Sequence, residues 1–519
     1  MKAMKSAKLR LLMAATVLAA ALVLLPGYAL AGSSAPLFPA YDEETGRYGY
    51  IDVNGQWAIP PQFEEAGLFR GRYAAVSTGD PWDYTMGVID ETGAWVVEPQ
   101  YFFDEGYDGW TYGGLNEGMY QVWDEDMEDM HTGWFDVPSG YFSGLVDSGE
   151  LRWWTKEKLV PIGNGFYNRT NGQLVFSLPE GYETDWLNNS SAFTYGFAPI
   201  IKTAEEEEDE SICFVSTQGE IRDPDHLLFN EEDWACGLLR ATEKETVPGG
   251  RPITGYFDLN AMDWRITACT GPDGSVCRFL ETYPFSGNSY ACVKLENGDY
   301  GHIDTQGNLL FSGSVSLKKE DGEEYIHITQ PYKFFGDYAW IEEAGALIGP
   351  DGNAVLQVPD GWTPEVQWDD ELDSAKDYYF SPGGIVELRK PVSGGGYKTG
   401  LMKRNGEWLL DPETYGRNWS ETAEWHRFFS EGLQPVVKII GIKEWRTVHT
   451  LDGDTQKPVS ETRVGYVNEQ GETIVDFLYD DGGPFMNGLA MVTKGNLIGY
   501  VNTEGEEVFF WTSGDSPDS

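Results

Sequence analysis

The string Gly-x-Ile/Val-Asp/Asn-x-x-Gly recurs along this chain, and so frequent a recurrence restricts the fold to an array of like units. Clear copies are Gly49 to Gly55 (GYIDVNG), Gly87 to Gly93 (GVIDETG), Gly301 to Gly307 (GHIDTQG), Gly465 to Gly471 (GYVNEQG) and Gly499 to Gly505 (GYVNTEG). A sixth, Gly400 to Gly406 (GLMKRNG), keeps both glycines but has Lys403 at the Asp/Asn position. Weaker copies begin near Gly133, Gly165, Cys213, Gly255 and Ala346. Their spacing is irregular and reaches about 65 residues, so insertions are frequent.

Each fixed position has a local physical reason. Aromatic and β-branched residues after the first Gly suit a half-buried strand. The Asp or Asn opens a tight turn by bonding its own downstream backbone, and the Gly three places later supplies the positive φ that a side chain resists. The chain then returns as a second strand, for example Trp57-Ala58-Ile59, Trp95-Val96-Val97 and Thr473-Ile474-Val475. These are β-hairpins. On this reading Asp52, Asp90 and Asp304 are turn formers and not metal ligands.

A second element recurs between the hairpins: Phe69 to Val76, Phe429 to Val436 and Phe485 to Val492 each hold an aromatic, a Gly and then apolar residues. Near the C-terminus it leads through Leu489 to Val492, Gly499 to Val501 and Glu507 to Phe510, a three-stranded meander per repeat. A meander of about 40 residues cannot bury enough surface alone, so neighbours must stack. The expected class is all-β. About ten to eleven units, spanning residues 32–519, form a propeller-like ring or two rings dividing near residue 250, with an open β-solenoid as the alternative. The Val247-Pro248-Gly249-Gly250 turn and the Gly394-Gly395-Gly396 run are the linker candidates, and either also reads as a hairpin loop.

These strings resemble the bacterial WG-repeat family. Its units run Gly-Tyr/Lys/Leu-Ile-Asp-x-x-Gly, then Val-Ile-x-Pro-x-Tyr-Asp, then Phe-x-x-Gly-Leu-Ala-x-Val. The match is closest at Gly49 to Val76, where Pro61-Gln62-Phe63-Glu64 fills the Pro-x-aromatic-acid position, and at Gly87 to Tyr101. Asp476 to Asp480 lacks the Pro, and between about residues 130 and 400 the resemblance is patchy. The resemblance implies a β-repeat scaffold, often exported, and brings no catalytic residue set.

The first 31 residues differ in kind. Lys2, Lys5, Lys8 and Arg10 form a basic head, Leu11 to Leu25 an apolar run, and Ala29-Leu30-Ala31 a small-x-small cleavage site. Together they read as a secretory signal peptide, with a retained membrane anchor as the alternative. The formal charge is -48, and cleavage would remove four further positive charges, leaving about -52. Such a surface repels nucleic acid and other polyanions. The acidic runs Asp124 to Asp129 and Glu205 to Glu210 read as solvated loops.

Five cysteines stand at 213, 236, 269, 277 and 292. A Cys269–Cys277 bridge is one reading; five reduced, buried thiols is the other, with Cys213 and Cys292 lying in strand-like runs. There is no CxxC pair, and the six histidines stand too far apart in sequence for a local zinc site. HExxH, P-loop and GxSxG strings are absent. The sequence therefore assigns no catalytic, cofactor-binding or metal residue and no cofactor. Among the 19 Trp, residues 110, 153, 154, 362, 368, 419 and 425 lie outside the strings. They read either as core plugs or as rings that stack on a sugar or anchor a protein. The expected role is an exported, non-catalytic scaffold or binding protein whose partner is a protein or a cell-envelope glycan. A polysaccharide-acting hydrolase and an acidic cation-binding surface protein are the alternatives.

Overall fold

A computed structural model describes residues 36–512, apart from 80–84, 104–114, 117–118, 124–130, 149–158, 185–192, 194, 205–210, 231–232, 245–251, 320–321, 368–377, 393–396, 418–427 and 451–452. The signal-peptide segment 1–31 and both acidic runs fall outside the described residues. Leu37–Ser519 is one compact unit.

No α-helix occurs among the described residues, and antiparallel strands fill eleven blades of a ring. In chain order the blades occupy residues 38–63, 65–103, 115–148, 159–177, 182–222, 227–266, 268–312, 334–357, 363–403, 415–479 and 481–512. We number them 1 to 11. Each of the eleven strings, strong or weak, marks one blade. The meander order is also as expected: in blade 11, Leu489–Lys494, Leu497–Asn502 and Glu507–Thr512 pair in sequence. Most blades add a short edge strand that sequence reading missed, such as Glu65–Ala66 in blade 2 and Asp481–Gly482 in blade 11. Blades 2 and 3 share one eight-stranded sheet, and a hairpin, Ser314–Lys319 with Gly322–His327, sits between blades 7 and 8. The strands flanking 245–251 pair with each other inside blade 6, and those flanking 393–396 pair inside blade 9.

The turn works as its sequence dictates. Asp52 Oδ1 accepts the Asn54 and Gln56 amides at 2.8 and 3.0 Å, and Asn502 Oδ1 accepts those of Glu504 and Glu506. Gly55 and Gly505 take positive φ, 76° and 83°.

The two glycines also meet neighbours that the sequence could not name. A Cβ on Gly49 would stand 2.6 Å from the Ile59 carbonyl oxygen, and one on Gly465 2.7 Å from that of Val475. At both places the third strand bulges toward the second, and only the missing side chain admits it. The turn glycine packs on the preceding blade: Gly93 against Ile59, Gly307 against Ile266, Gly471 against Leu409. Gly55 of blade 1 meets Val508 of blade 11 in the same manner, which closes the ring. The open-solenoid alternative is thereby excluded.

A tyrosine hydrogen bond repeats across the blade interfaces. Tyr50 Oη donates to the Gly67 carbonyl of the next blade at 2.8 Å, Tyr256 Oη to that of Tyr283 at 2.7 Å, and Tyr466 Oη to that of Gly483 at 2.8 Å. At the seam Tyr500 Oη donates to Pro39 of blade 1 at 2.9 Å. Phe38, Ala40, Ile51, Leu489, Tyr500 and Trp511 form one buried cluster there. Burying so much aromatic surface favours each interface by several kcal/mol on the scale of about 25 cal/mol per Å2.

Candidate binding surface

Blade 10 departs furthest from the repeat. Its middle strands, Leu433–Thr450 and Gly453–Asn468, run 18 and 16 residues, where the corresponding strands of blade 11 have six each. They pair continuously from Leu433 opposite Asn468 to Thr450 opposite Gly453, with bulges near Gly441 and Lys443. The root belongs to the ring: Leu433, Val464 and Tyr466 are buried with Val475 and Phe485. Lys438 lies over the rings of Tyr415 and Phe477, 5.6 and 5.2 Å from their centroids, and Arg463 pairs with Asp480 at 3.1 Å.

Just beyond the root, residues 439, 440, 442–444 and 460 are exposed. Ile439, Ile440 and Ile442 are 44%, 50% and 54% exposed, although bulges of this kind more often accompany charged edges. Residues 438–463 carry five Lys/Arg and four Asp/Glu, so the remaining chain holds a net charge of about -49. The ribbon is thus the one long insertion among the described strands that combines exposed aliphatic side chains with a balanced charge.

A recess of about 330 Å3, open-solvent space included, lies beside the root. Glu387, Thr399, Gly400 and Leu401 of blade 9 line it with Tyr415, Gly416, Gln434 and Pro435 of blade 10. Leu401 stands where Tyr50 and Tyr466 stand in blades 1 and 10, so this interface, like those that follow Val88 and Leu347, lacks the tyrosine bond. Buried polar groups collect nearby. Glu387 is 2% exposed and accepts a hydrogen bond from Gln367 Nε2 at 3.1 Å, while Gln434 Oε1 accepts the Phe429 amide at 2.8 Å. Burying a carboxylate requires such partners.

The residues singled out from sequence have these places. Asp52, Asp90 and Asp304 all cap turns through their own downstream amides. The Gln56 amide, with those of Asn54, holds the Asp52 carboxyl below its ordinary range against slight burial. For Asp90 burial works upward, but hydrogen bonds from Thr92 and Ala94 outweigh it and the pKa is lowered. His302 is wholly buried: its Nε2 donates to the Pro350 carbonyl at 2.6 Å, and its Nδ1 accepts from Tyr332 Oη at 2.8 Å. Burial brings it down to about 4, so it is a neutral strut between blades 7 and 8. Trp362 packs on Trp408, ring centroids 4.9 Å apart, as a core plug. Trp110, Trp153, Trp154, Trp368, Trp419 and Trp425 lie outside the described residues.

Among the described residues no three His, Cys, Asp or Glu side chains are grouped to hold a metal ion. Among the described residues no helix is long and apolar enough to cross a membrane. Sequence reading missed the ribbon, although the 65-residue gap between Gly400 and Gly465 is its trace.

Comparison with known proteins agrees with the repeat reading. The family model described as WG containing repeat matches residues 48–82, 86–101 and 465–497. No curated protein matches. Among solved structures, the chain is similar to the dihydro-heme d1 dehydrogenase NirN in complex with DHE, at 11% identity over 75% of this chain and 77% of that one, TM-score 0.23. It is similar to an uncharacterized protein from Listeria monocytogenes EGD-e at 8% identity, over 81% and 96%, TM-score 0.21. Apo AztD from Citrobacter koseri matches at 10% identity, over 71% and 91%, TM-score 0.21.

Proposed function

We propose that this chain, a WG-repeat protein, is a non-catalytic binding scaffold that works outside the cytoplasm and holds a protein partner on the ribbon of blade 10. The ribbon carries the reading. Three half-exposed isoleucines on a rigidly rooted, two-stranded projection are unfavourable in water and gain from being covered. A partner approaching anywhere else meets a strongly acidic chain, whereas residues 438–463 are nearly neutral and Lys443 among them is exposed. The partner's matching surface is therefore apolar with an acidic rim, a pairing that favours fast encounter and correct register. Export follows from the basic head, apolar run and small-x-small site of residues 1–31.

The test uses the full chain expressed in its own cells with a photo-crosslinking residue at Ile442. A defined protein should be captured, and capture should disappear when Ile440 and Ile442 are both changed to Asp or when residues 440–461 are replaced by an Asn-Gly turn. Leu174→Asp, on the exposed outer strand of blade 4, is the control that keeps capture. Retention of the partner without the ribbon would overturn the reading, as would release of reducing ends from an envelope glycan by the purified chain.

A further inference from the structure

Blade 7 opens with a hairpin of two strands, Ala268–Thr270 and Val276–Ser286, in which Cys269 lies directly opposite Cys277. We propose that Cys269 and Cys277 form a reversible cross-strand disulfide that locks this hairpin at the junction of blades 6 and 7. The geometry permits it. The Gly271 amide donates to Ser275, and Thr270 turns its own amide away to Gly307, so Cys269 and Cys277 form a narrow, hydrogen-bonded pair. Opposed residues of that kind have Cα atoms about 5.5 Å apart, inside the roughly 4.4–6.8 Å that a disulfide spans. Opposed side chains also share a face, and Cys269 Sγ leans across the ladder to lie 3.4 Å from the Cys277 carbonyl oxygen.

Burial distinguishes the two thiols. Cys269 is buried in the core cluster that joins Leu238, Tyr256 and Ile266 of blade 6 to Phe279, Phe285 and Val293 of blade 7. Desolvation, with Cys277 beside it, pushes its thiol up to about 12. Cys277 is half-buried at the rim of that cluster, 3.8 Å from Ser275 Oγ. Cys277 is thus the entry point. Its thiolate attacks one sulfur of a small external disulfide and expels one thiol. The deprotonated Cys269 then displaces the second thiol from the Cys277 sulfur. Two cysteine thiols are oxidised, one external disulfide is reduced to two thiols, and the two cysteine protons end on those thiols. Cys213 and Cys292 are buried and stand opposite Ile200 and His302, not opposite a cysteine, and stay reduced. Where the bridge forms in the cell rests on the export reading above; the exchange chemistry does not.

The purified full-length chain is equilibrated with mixtures of oxidised and reduced glutathione, quenched by alkylation and mapped by peptide mass. The expected result in oxidising buffer is the loss of two of the five free thiols and one cross-linked peptide pair joining Cys269 to Cys277. Reducing buffer should restore all five. Cys277→Ser should keep the native circular dichroism and form no bridge, and Cys236→Ser should bridge as the parent does. Five thiols surviving at every glutathione ratio would overturn the proposal, as would a bridge between Cys236 and Cys277, the other half-buried cysteine at that cluster.

Discussion

The seam between blades 11 and 1 and the interface between blades 9 and 10 have the same strand order but are filled differently. At the seam Tyr500 reaches across to Pro39, Trp511 seals the cluster beneath it, and Gly55 rests on Val508. Between blades 9 and 10, Leu401 replaces the tyrosine, Glu387 and Gln434 are buried, and a recess opens at the foot of the ribbon. The seam thus shows that ring closure needs no special device, because the last blade meets the first through the same tyrosine bond that joins blades 1 and 2, 6 and 7, and 10 and 11. The other interface lacks that bond and differs in its filling: Glu387 and Gln434 are buried there, and the long ribbon starts beside them.

The largest test of this contrast is Trp511→Ala. It should cost about 3–5 kcal/mol as a buried aromatic truncated in a closed ring, read as a shift of the whole chemical unfolding transition. A separate early phase confined to blades 11 and 1 would break the comparison, since it would mean that the seam opens alone. Next in size is Gly49→Ala, where the added Cβ meets the Ile59 carbonyl; about 1–3 kcal/mol is expected. Gly406→Ala, with nothing within 4 Å of its Cβ, should cost only the strain of a positive φ, about 1 kcal/mol.

Two further substitutions should move stability in opposite directions by about 1 kcal/mol each. Tyr500→Phe removes the seam hydrogen bond and leaves the Pro39 carbonyl without that donor. Leu401→Tyr restores the ring missing between blades 9 and 10, and the midpoint of urea unfolding should rise. A fall would show that the recess is not the space the tyrosine vacated.

The smallest effect is on pH dependence. Asp52 and Asp90 have folded pKa values below their unfolded ones, so their contribution is fully present above about pH 4 and is lost as pH falls through the folded values. Melting temperature followed from about pH 5 to about pH 2 should fall less in the double variant Asp52→Asn, Asp90→Asn than in the parent. An unchanged slope would show that these turns do not depend on carboxylate charge.

Most of the fold could be read before any coordinates. All eleven strings, including weak ones such as Cys213 to Gly219 and Ala346 to Gly352, mark real blades because a turn is specified by a few adjacent residues. Asp52 needs only Asn54 and Gln56 to do its work. The candidate site was far less legible. The ribbon appears in sequence only as an unusually long gap, since residues 438–463 hold no copy of the repeat string, and the recess depends on which residues of blade 10 stand beside Leu401.

The amino-acid sequence alone therefore determined the unit: the strand, the Asx turn, the positive-φ glycine and the returning strand, each set by interactions within a few residues. Tertiary structure decided where Tyr50 and its counterparts donate and that eleven blades close on themselves. Those outcomes join residues separated by 17 positions, as for Tyr50 and Gly67, or by 461, as for Tyr500 and Pro39. Local propensity carries no information about such pairs, because only the packed ring brings their backbones together.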